Sequence, residues 1–122
     1  MDFPFEQTKF QIKNICNWNL ETHKTVYPPR EDTYLMANAI LKMKKHQGLA
    51  LEIGCGSGAL SMLLATLGWK VIAYDVNPYA VSSARGNVKK YNLENSVSIE
   101  EGGIGENIDI SDEIDIINWN LP

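Results

Sequence analysis

The stretch Leu49-Ala50-Leu51-Glu52-Ile53-Gly54-Cys55-Gly56-Ser57-Gly58-Ala59-Leu60 leaves this chain few folds to choose from. An apolar run breaks into glycines at alternate positions and resumes as Ala59-Leu60-Ser61-Met62-Leu63-Leu64-Ala65. That pattern predicts a buried strand, a tight loop and the first turns of a helix. Glycines suit such a loop because it takes positive φ and lets a ligand lie against main chain where a Cβ would collide. The spacing therefore points to a nucleotide-type ligand.

Two ligand chemistries fit a strand, a glycine loop and a helix in that order. A dinucleotide presents its pyrophosphate to the loop and helix N-terminus, where a carboxylate is repulsive. Gly54, Gly56 and Ala59 satisfy that spacing, but Glu52 stands two residues before the first glycine. An anion at the strand tip suits ammonium and sulfonium charges, so S-adenosylmethionine is the expected cofactor and a dinucleotide the alternative. The order Glu-x-Gly-x-Gly-x-Gly resembles the cofactor loop of class I S-adenosylmethionine-dependent methyltransferases. The resemblance implies an α/β, Rossmann-like fold with a partial parallel sheet in strand order 3-2-1-4 and helices on both faces. It assigns Glu52, Gly54, Cys55, Gly56 and Gly58 to the cofactor.

The helix from Ala59 to Leu67 should stop at Gly68, and Trp69 to Asp75 reads as an apolar strand with a carboxylate at its tip. Asp75 lies seventeen residues past Gly58, the distance at which an acidic group can take both ribose hydroxyls of an adenosine. The resemblance places Val76 beside the same ligand. Asn77 caps a helix running from Pro78 to about Tyr91, with Ala80, Val81, Ala84, Val88 and Tyr91 on its inner face. Ser96 to Glu100 reads as a third strand. In the methyltransferases that this chain resembles, an Asp follows it and meets the adenine amine; here Glu101 is the candidate substitute.

Before the loop, Val26-Tyr27-Pro28-Pro29-Arg30-Glu31-Asp32-Thr33-Tyr34-Leu35 predicts an extended arm. Asp32 or Thr33 should cap a helix whose apolar face is Leu35, Met36, Ala39, Ile40 and Met43. That helix should run to about Lys45, with Lys42, Lys44 and Lys45 at its negative end. The segment resembles the one before the first strand of N5-glutamine methyltransferases that modify release factors, through Pro29, Arg30, Asp32 and Thr33. By that resemblance Thr33 serves the cofactor, and Pro29, Arg30 and Asp32 the substrate side.

Ile114 to Trp119 reads as a fourth strand, followed by Asn120-Leu121-Pro122. This resembles the Asn-Pro-Pro-Tyr motif of amino and amide methyltransferases, with Leu121 in place of the first proline. Asn120 and Pro122 are thereby the catalytic candidates, and Asn120 is also assigned to the cofactor. Pro122 would fix a rigid turn, while Asn120 and a backbone carbonyl accept the two hydrogens of a planar nitrogen aimed at the sulfonium methyl. The implied reaction is methyl transfer to a protein glutamine amide. Adenine N6 in nucleic acid and a catalytically silent cofactor-binding module are the alternatives.

A net charge of −4 argues against a broad nucleic-acid footprint. Two cysteines, Cys16 and Cys55, make no disulfide framework and suggest a reducing, cytoplasmic setting. No apolar run is long enough for a membrane span, and Asp2 and Glu6 do not suit a signal peptide. His23 and His46 lack metal-ligand company, so no metal is expected. Residues 1–26 read as an appendage, with Phe10 and Ile12 alternating along a weak strand or hairpin and Trp18 as a packing residue. Residues 27–122 correspond to the cofactor half of the resembled seven-stranded fold, so the chain is expected to be a fragment or truncated copy. Its fourth strand would leave an apolar edge for a second chain or partner subunit.

Overall fold

The computed structural model describes residues 4–103 and 113–119. Asn120, Leu121 and Pro122 lie outside the described residues. An antiparallel hairpin, β1 (Phe5–Ile12) and β2 (Cys16–His23), comes first, followed by α1 (Glu31–Leu41). Then β3 (Leu49–Ile53), α2 (Ala59–Leu67), β4 (Lys70–Asp75), α3 (Pro78–Lys90) and β5 (Val97–Glu101) form two successive βαβ units, with β6 (Ile116–Trp119) after them. The last four strands make one parallel sheet in the order β5-β4-β3-β6. Renumbered from β3, this is the 3-2-1-4 order that the sequence predicts.

Strand alternation decides which side chains meet the helices. Ala50, Val71, Ala73, Val97 and Ile99 point to one face and join a single core cluster with Ala37 and Ile40 of α1, Leu60, Met62, Leu63 and Leu64 of α2, and Val81, Ala84 and Val88 of α3. The opposite face holds Leu51, Ile53 and Tyr74, with Ile72 and Ile114 alongside. Helices on both faces are expected from the sequence; among the described residues all three helices pack on the first face. Right-handed crossovers in β3–α2–β4 and β4–α3–β5 put α2 and α3 on the same side.

The start and inner face of α1 differ from expectation. Arg30, extended after Pro29, is the N-cap residue, and Thr33 acts one turn later, its Oγ1 accepting from Arg30 N at 3.1 Å. Asp32 Oδ1 accepts from Thr33 N at 3.0 Å instead of capping the helix from outside. The Tyr34 ring stacks on Phe10 at 4.9 Å, which turns Ala37 and Ile40 inward and leaves Leu35 70% exposed. The helix ends with Lys42 as C-cap, so Lys44 and Lys45 lie past it.

The hairpin is part of the core. Phe10 and Leu20 are fully buried, and Trp18 packs between Phe10 and Tyr91. α3 meets β2 with polar groups. Asn87 Oδ1 accepts from Glu21 N at 2.8 Å while its Nδ2 donates to Glu21 O at 2.9 Å, and Ser83 Oγ accepts from His23 N at 3.0 Å. These side chains pair the main chain of β2 as a neighbouring strand would. His23 stacks on Tyr79 at 4.0 Å, and His46 Nδ1 accepts from Trp69 Nε1 at 3.3 Å. Both histidines are therefore packing residues.

Gly68 closes α2 with φ +125°, and a Cβ there would lie 2.4 Å from the carbonyl oxygen of His46. Gly68→Ala is expected to destabilise the fold by about 2 kcal/mol or more, since backbone strain and a main-chain clash add. Urea unfolding should show a lower midpoint with unchanged slope. An unchanged midpoint would mean that the turn relaxes freely.

Candidate functional site

The C-terminal ends of β3 and β4 open beneath the glycine loop, where an open-fold α/β sheet places its ligands. A cavity of about 820 Å³ lies there. Its floor is the end of β3 and the loop, from Glu52 through Ser57. One wall is Asp75, Val76 and Asn77 with Gly102 and Gly103; the other is the arm from Thr25 to Arg30 and the start of α1, Asp32 and Thr33. Trp119 at the end of β6, Ala59 and Leu60 of α2 and Ala80 of α3 complete the lining. The volume lies in the range of sites for small molecules and cofactors.

The loop is fastened from both sides. Gly54 N and Cys55 N donate to Tyr74 O at 2.8 and 3.1 Å, hanging the loop on β4. Asp75 Oδ2 accepts from Gly56 N at 2.9 Å, and its Oδ1 from Asn77 N at 2.9 Å. Asn77 Oδ1 then caps α3 through Tyr79 N at 2.9 Å. From α3, Asn87 Nδ2 also donates to Ser57 O at 2.9 Å. Gly58, with φ +90°, brings α2 against α3 so closely that a Cβ would sit 3.2 Å from that of Ala84.

Glu52 is fully buried, unlike the open anion that the sequence suggests at the loop's mouth. Along β3, residues 50 and 52 share the helix-covered face, so the carboxyl lies under the cavity floor. Ser61 Oγ donates to its Oε1, and Asn118 Nδ2 donates to its Oε2 at 3.0 Å. Burial pushes the carboxyl up to about 7 against the pull of hydrogen bonds from Ser61 and Asn118, and the Asp75 charge adds to the rise. Burial likewise drives the Cys55 thiol well above its usual range, so Cys55 is a packing group and not a nucleophile.

A carboxyl that holds its proton more tightly folded than unfolded stabilises the fold at low pH. For Glu52 the stabilisation is complete below about pH 4.5 and lost as pH rises to about 7. The difference is on the order of 3 kcal/mol. Chemical unfolding at closely spaced pH values should show stability falling across that window. Stability rising across it would mean that Glu52 is ionised at low pH in the folded chain.

Of the residues singled out by sequence, Pro29, Arg30, Asp32, Thr33, Glu52, Gly54, Cys55, Gly56, Asp75 and Val76 all line the one cavity. Gly58 is not among the lining residues and acts by allowing the α2–α3 approach. Glu101 is exposed and absent from the wall, where Gly102 and Gly103 stand instead. Asn120 and Pro122 lie outside the described residues. Sequence reasoning missed Thr25, Asn77 and Trp119 as wall residues, and Asn118. The signal for Asn118 was present: an amide in the otherwise apolar run Ile116-Ile117-Asn118-Trp119. Among the described residues no cluster could hold a metal ion, and no helix is long and apolar enough to cross a membrane.

Comparison with known proteins agrees with this geometry. Residues 30–121 match the sequence profile of the family described as ribosomal protein L11 methyltransferase (PrmA). A Methanocaldococcus jannaschii relative carrying the name protein N5-glutamine methyltransferase is 36% identical over 112 residues, which are 91% of this chain and 54% of that protein. A Methanococcus maripaludis structure described as an S-adenosylmethionine-dependent methyltransferase aligns with a TM-score of 0.61 and 31% identity, over 70% of this chain and 40% of its own. Trm5b of Pyrococcus abyssi aligns with a TM-score of 0.74 and 26% identity, over 95% of this chain and 33% of its own. The chain thus spans 54% of the first relative and smaller shares of the other two.

Proposed function

We propose, since this chain belongs to the ribosomal protein L11 methyltransferase (PrmA) family, that its cavity binds S-adenosylmethionine and serves methyl transfer to a planar nitrogen, a glutamine amide of a protein. One observation carries the reading: a glycine loop, the carboxylate of Asp75 and the start of α1 surround a single cavity with Glu52 beneath it. The donor set fits the cofactor. Asp75 keeps lone pairs for ribose hydroxyls, and Glu52 and Asp75 supply negative potential for a cationic ligand. The names of the family and of the M. jannaschii relative both refer to protein acceptors, which favours protein over nucleic acid.

The cofactor supplies an electrophilic methyl group; the chain's part is positioning and electrostatics. Thr33 and the loop would hold the methionine end, Asp75 the ribose, and Val76 the adenine side. Arg30 lies over the Tyr27 ring at 5.2 Å on the arm, and with Pro29 and Asp32 would meet the substrate. By its likeness to the Asn-Pro-Pro-Tyr motif, Asn120, the residue after β6 in sequence, would accept a hydrogen of the acceptor nitrogen and so make its lone pair available. By the same motif likeness, Pro122 is the catalytic partner of Asn120, and a main-chain carbonyl of this stretch would take the second hydrogen. The acceptor's proton leaves to water after transfer. β6 is an edge strand among those described, with Ile117 59% exposed, and pairing there with a second chain or with further strands would cover it.

Asn120→Ala is expected to lower methyl transfer by about 1,000-fold, as loss of a single positioned group does, and to weaken cofactor binding far less. Transfer of labelled methyl from S-adenosylmethionine to a glutamine peptide and to adenine-containing nucleic acid tests the whole reading. Labelling of the peptide supports it. Labelling of nucleic acid alone supports the adenine reading, and binding with no transfer to either supports a silent module.

A further inference from the structure

Asn118 belongs to no assigned role, yet it stands directly across from Glu52 in the parallel register of β3 and β6. It is buried, as is Ser61, and the two side chains grip the two oxygens of one carboxyl from different elements, β6 and α2. Burying an amide is unfavourable unless it is hydrogen-bonded, and an aliphatic residue would serve the strand's packing as well. The contact with Glu52 is what makes the amide useful at that position. We infer that Asn118 is a positioning residue: it holds Glu52 in the orientation and charge state that a cationic cofactor requires, and so ties β6 to the cofactor cavity. The inference rests on the S-adenosylmethionine reading above.

The physical chain is short. A hydrogen bond to a carboxylate is stronger than one to a carboxylic acid, so whatever draws Glu52 into its ionised form also tightens the Asn118 contact. A ligand ammonium near the floor does this. β6, whose next residue is Asn120, is then held more firmly when cofactor is present. Among the described residues, the titratable groups acting with Glu52 are Asp75 at the end of β4, whose charge opposes ionisation, and Cys55 in the loop, whose thiol Glu52 in turn pushes up. The hydrogen bonds of Ser61 and Asn118 act against the burial of Glu52. Loss of the Asn118 amide therefore moves the ionisation of Glu52 to higher pH.

Calorimetric titration of S-adenosylmethionine into wild type and Asn118→Leu between pH 6 and 9 tests this. Wild-type affinity should rise up to about pH 7. Asn118→Leu should show its rise about one unit higher, giving about fivefold weaker binding at pH 7 and a gap that closes by pH 9. Titration of the ligand's own amine is common to both proteins and cancels in the comparison. A merely structural amide would leave the midpoint in place, and an unchanged midpoint overturns the inference. No binding by wild type at any pH overturns the cofactor reading instead. Should Asn118→Leu fail to fold, the wild-type protein answers by NMR. The Asn118 side-chain amide resonances should titrate with Glu52 and cease to do so when saturated with S-adenosylmethionine; resonances indifferent to pH overturn the inference.

Discussion

Asp75→Ala is expected to weaken S-adenosylmethionine binding by a factor of about 100 or more, with the fold intact at 25 °C. The carboxylate of Asp75 has two tasks at once. Its oxygens already accept from Gly56 N and Asn77 N, each at 2.9 Å, and each oxygen keeps a second lone pair toward the cavity. Truncation removes the acceptors for two ribose hydroxyls and releases the loop that the ligand rests on. Hydrogen bonds to charged groups contribute about 1.5 to 3 kcal/mol each, so a combined loss of about 3 kcal/mol, or 100-fold, is the lower end. Asp75→Asn keeps the volume but turns an amide N–H against one of the two main-chain N–H groups, and should fall nearly as far. Calorimetric affinity, with melting temperature measured in parallel, checks both. Affinity within about threefold of wild type would show that the ribose is held elsewhere.

Glu52→Gln is expected to separate function from stability. Above pH 7 the wild-type fold carries a buried, ionised carboxyl, an unfavourable arrangement in the absence of a cation. The neutral amide removes that burden and should raise unfolding stability at pH 8 by on the order of 2 kcal/mol, less whatever is lost where the new N–H faces Ser61 or Asn118. It should also abolish the fall in stability between pH 4.5 and about 7. Binding of S-adenosylmethionine should weaken about 30-fold or more, since a negative charge under the cationic ligand, an attraction of about 2 kcal/mol or more, is lost. A variant that loses stability at every pH while binding cofactor normally would make Glu52 a structural residue only.

Much of the fold could be read from the chain because its local and global signals agree. The glycine loop, Gly68, the Asn77-Pro78 helix start and the apolar strands fixed two βαβ units and their order. The hairpin was harder to see. Its turn contains no glycine, and Asn14 takes the left-handed conformation with φ 66°. Besides Phe10, Trp18 and Leu20, its packing uses Ser83 and Asn87, polar residues of α3 that pair with β2 main chain. The face of α1 was misread for a tertiary reason, the stacking of Tyr34 on Phe10, which no helical period contains. The cavity's walls were legible where a motif names them, as at Asp75 and Thr33. They were hidden where the arm between the hairpin and α1 contributes, as at Thr25. The burial of Glu52 follows from strand alternation with Ala50, a simple consequence overlooked when a carboxylate is read as a surface group.

Side-by-side titration of the chain with S-adenosylmethionine and with NAD, at pH 8 and with melting temperature followed, is the most direct test of the cavity's ligand. One equivalent of S-adenosylmethionine should bind with measurable heat, raise the melting temperature and be displaced by S-adenosylhomocysteine, while NAD does none of these. Heat and stabilisation from NAD, or silence of both signals with S-adenosylmethionine, would contradict the assignment of this cleft to a sulfonium cofactor.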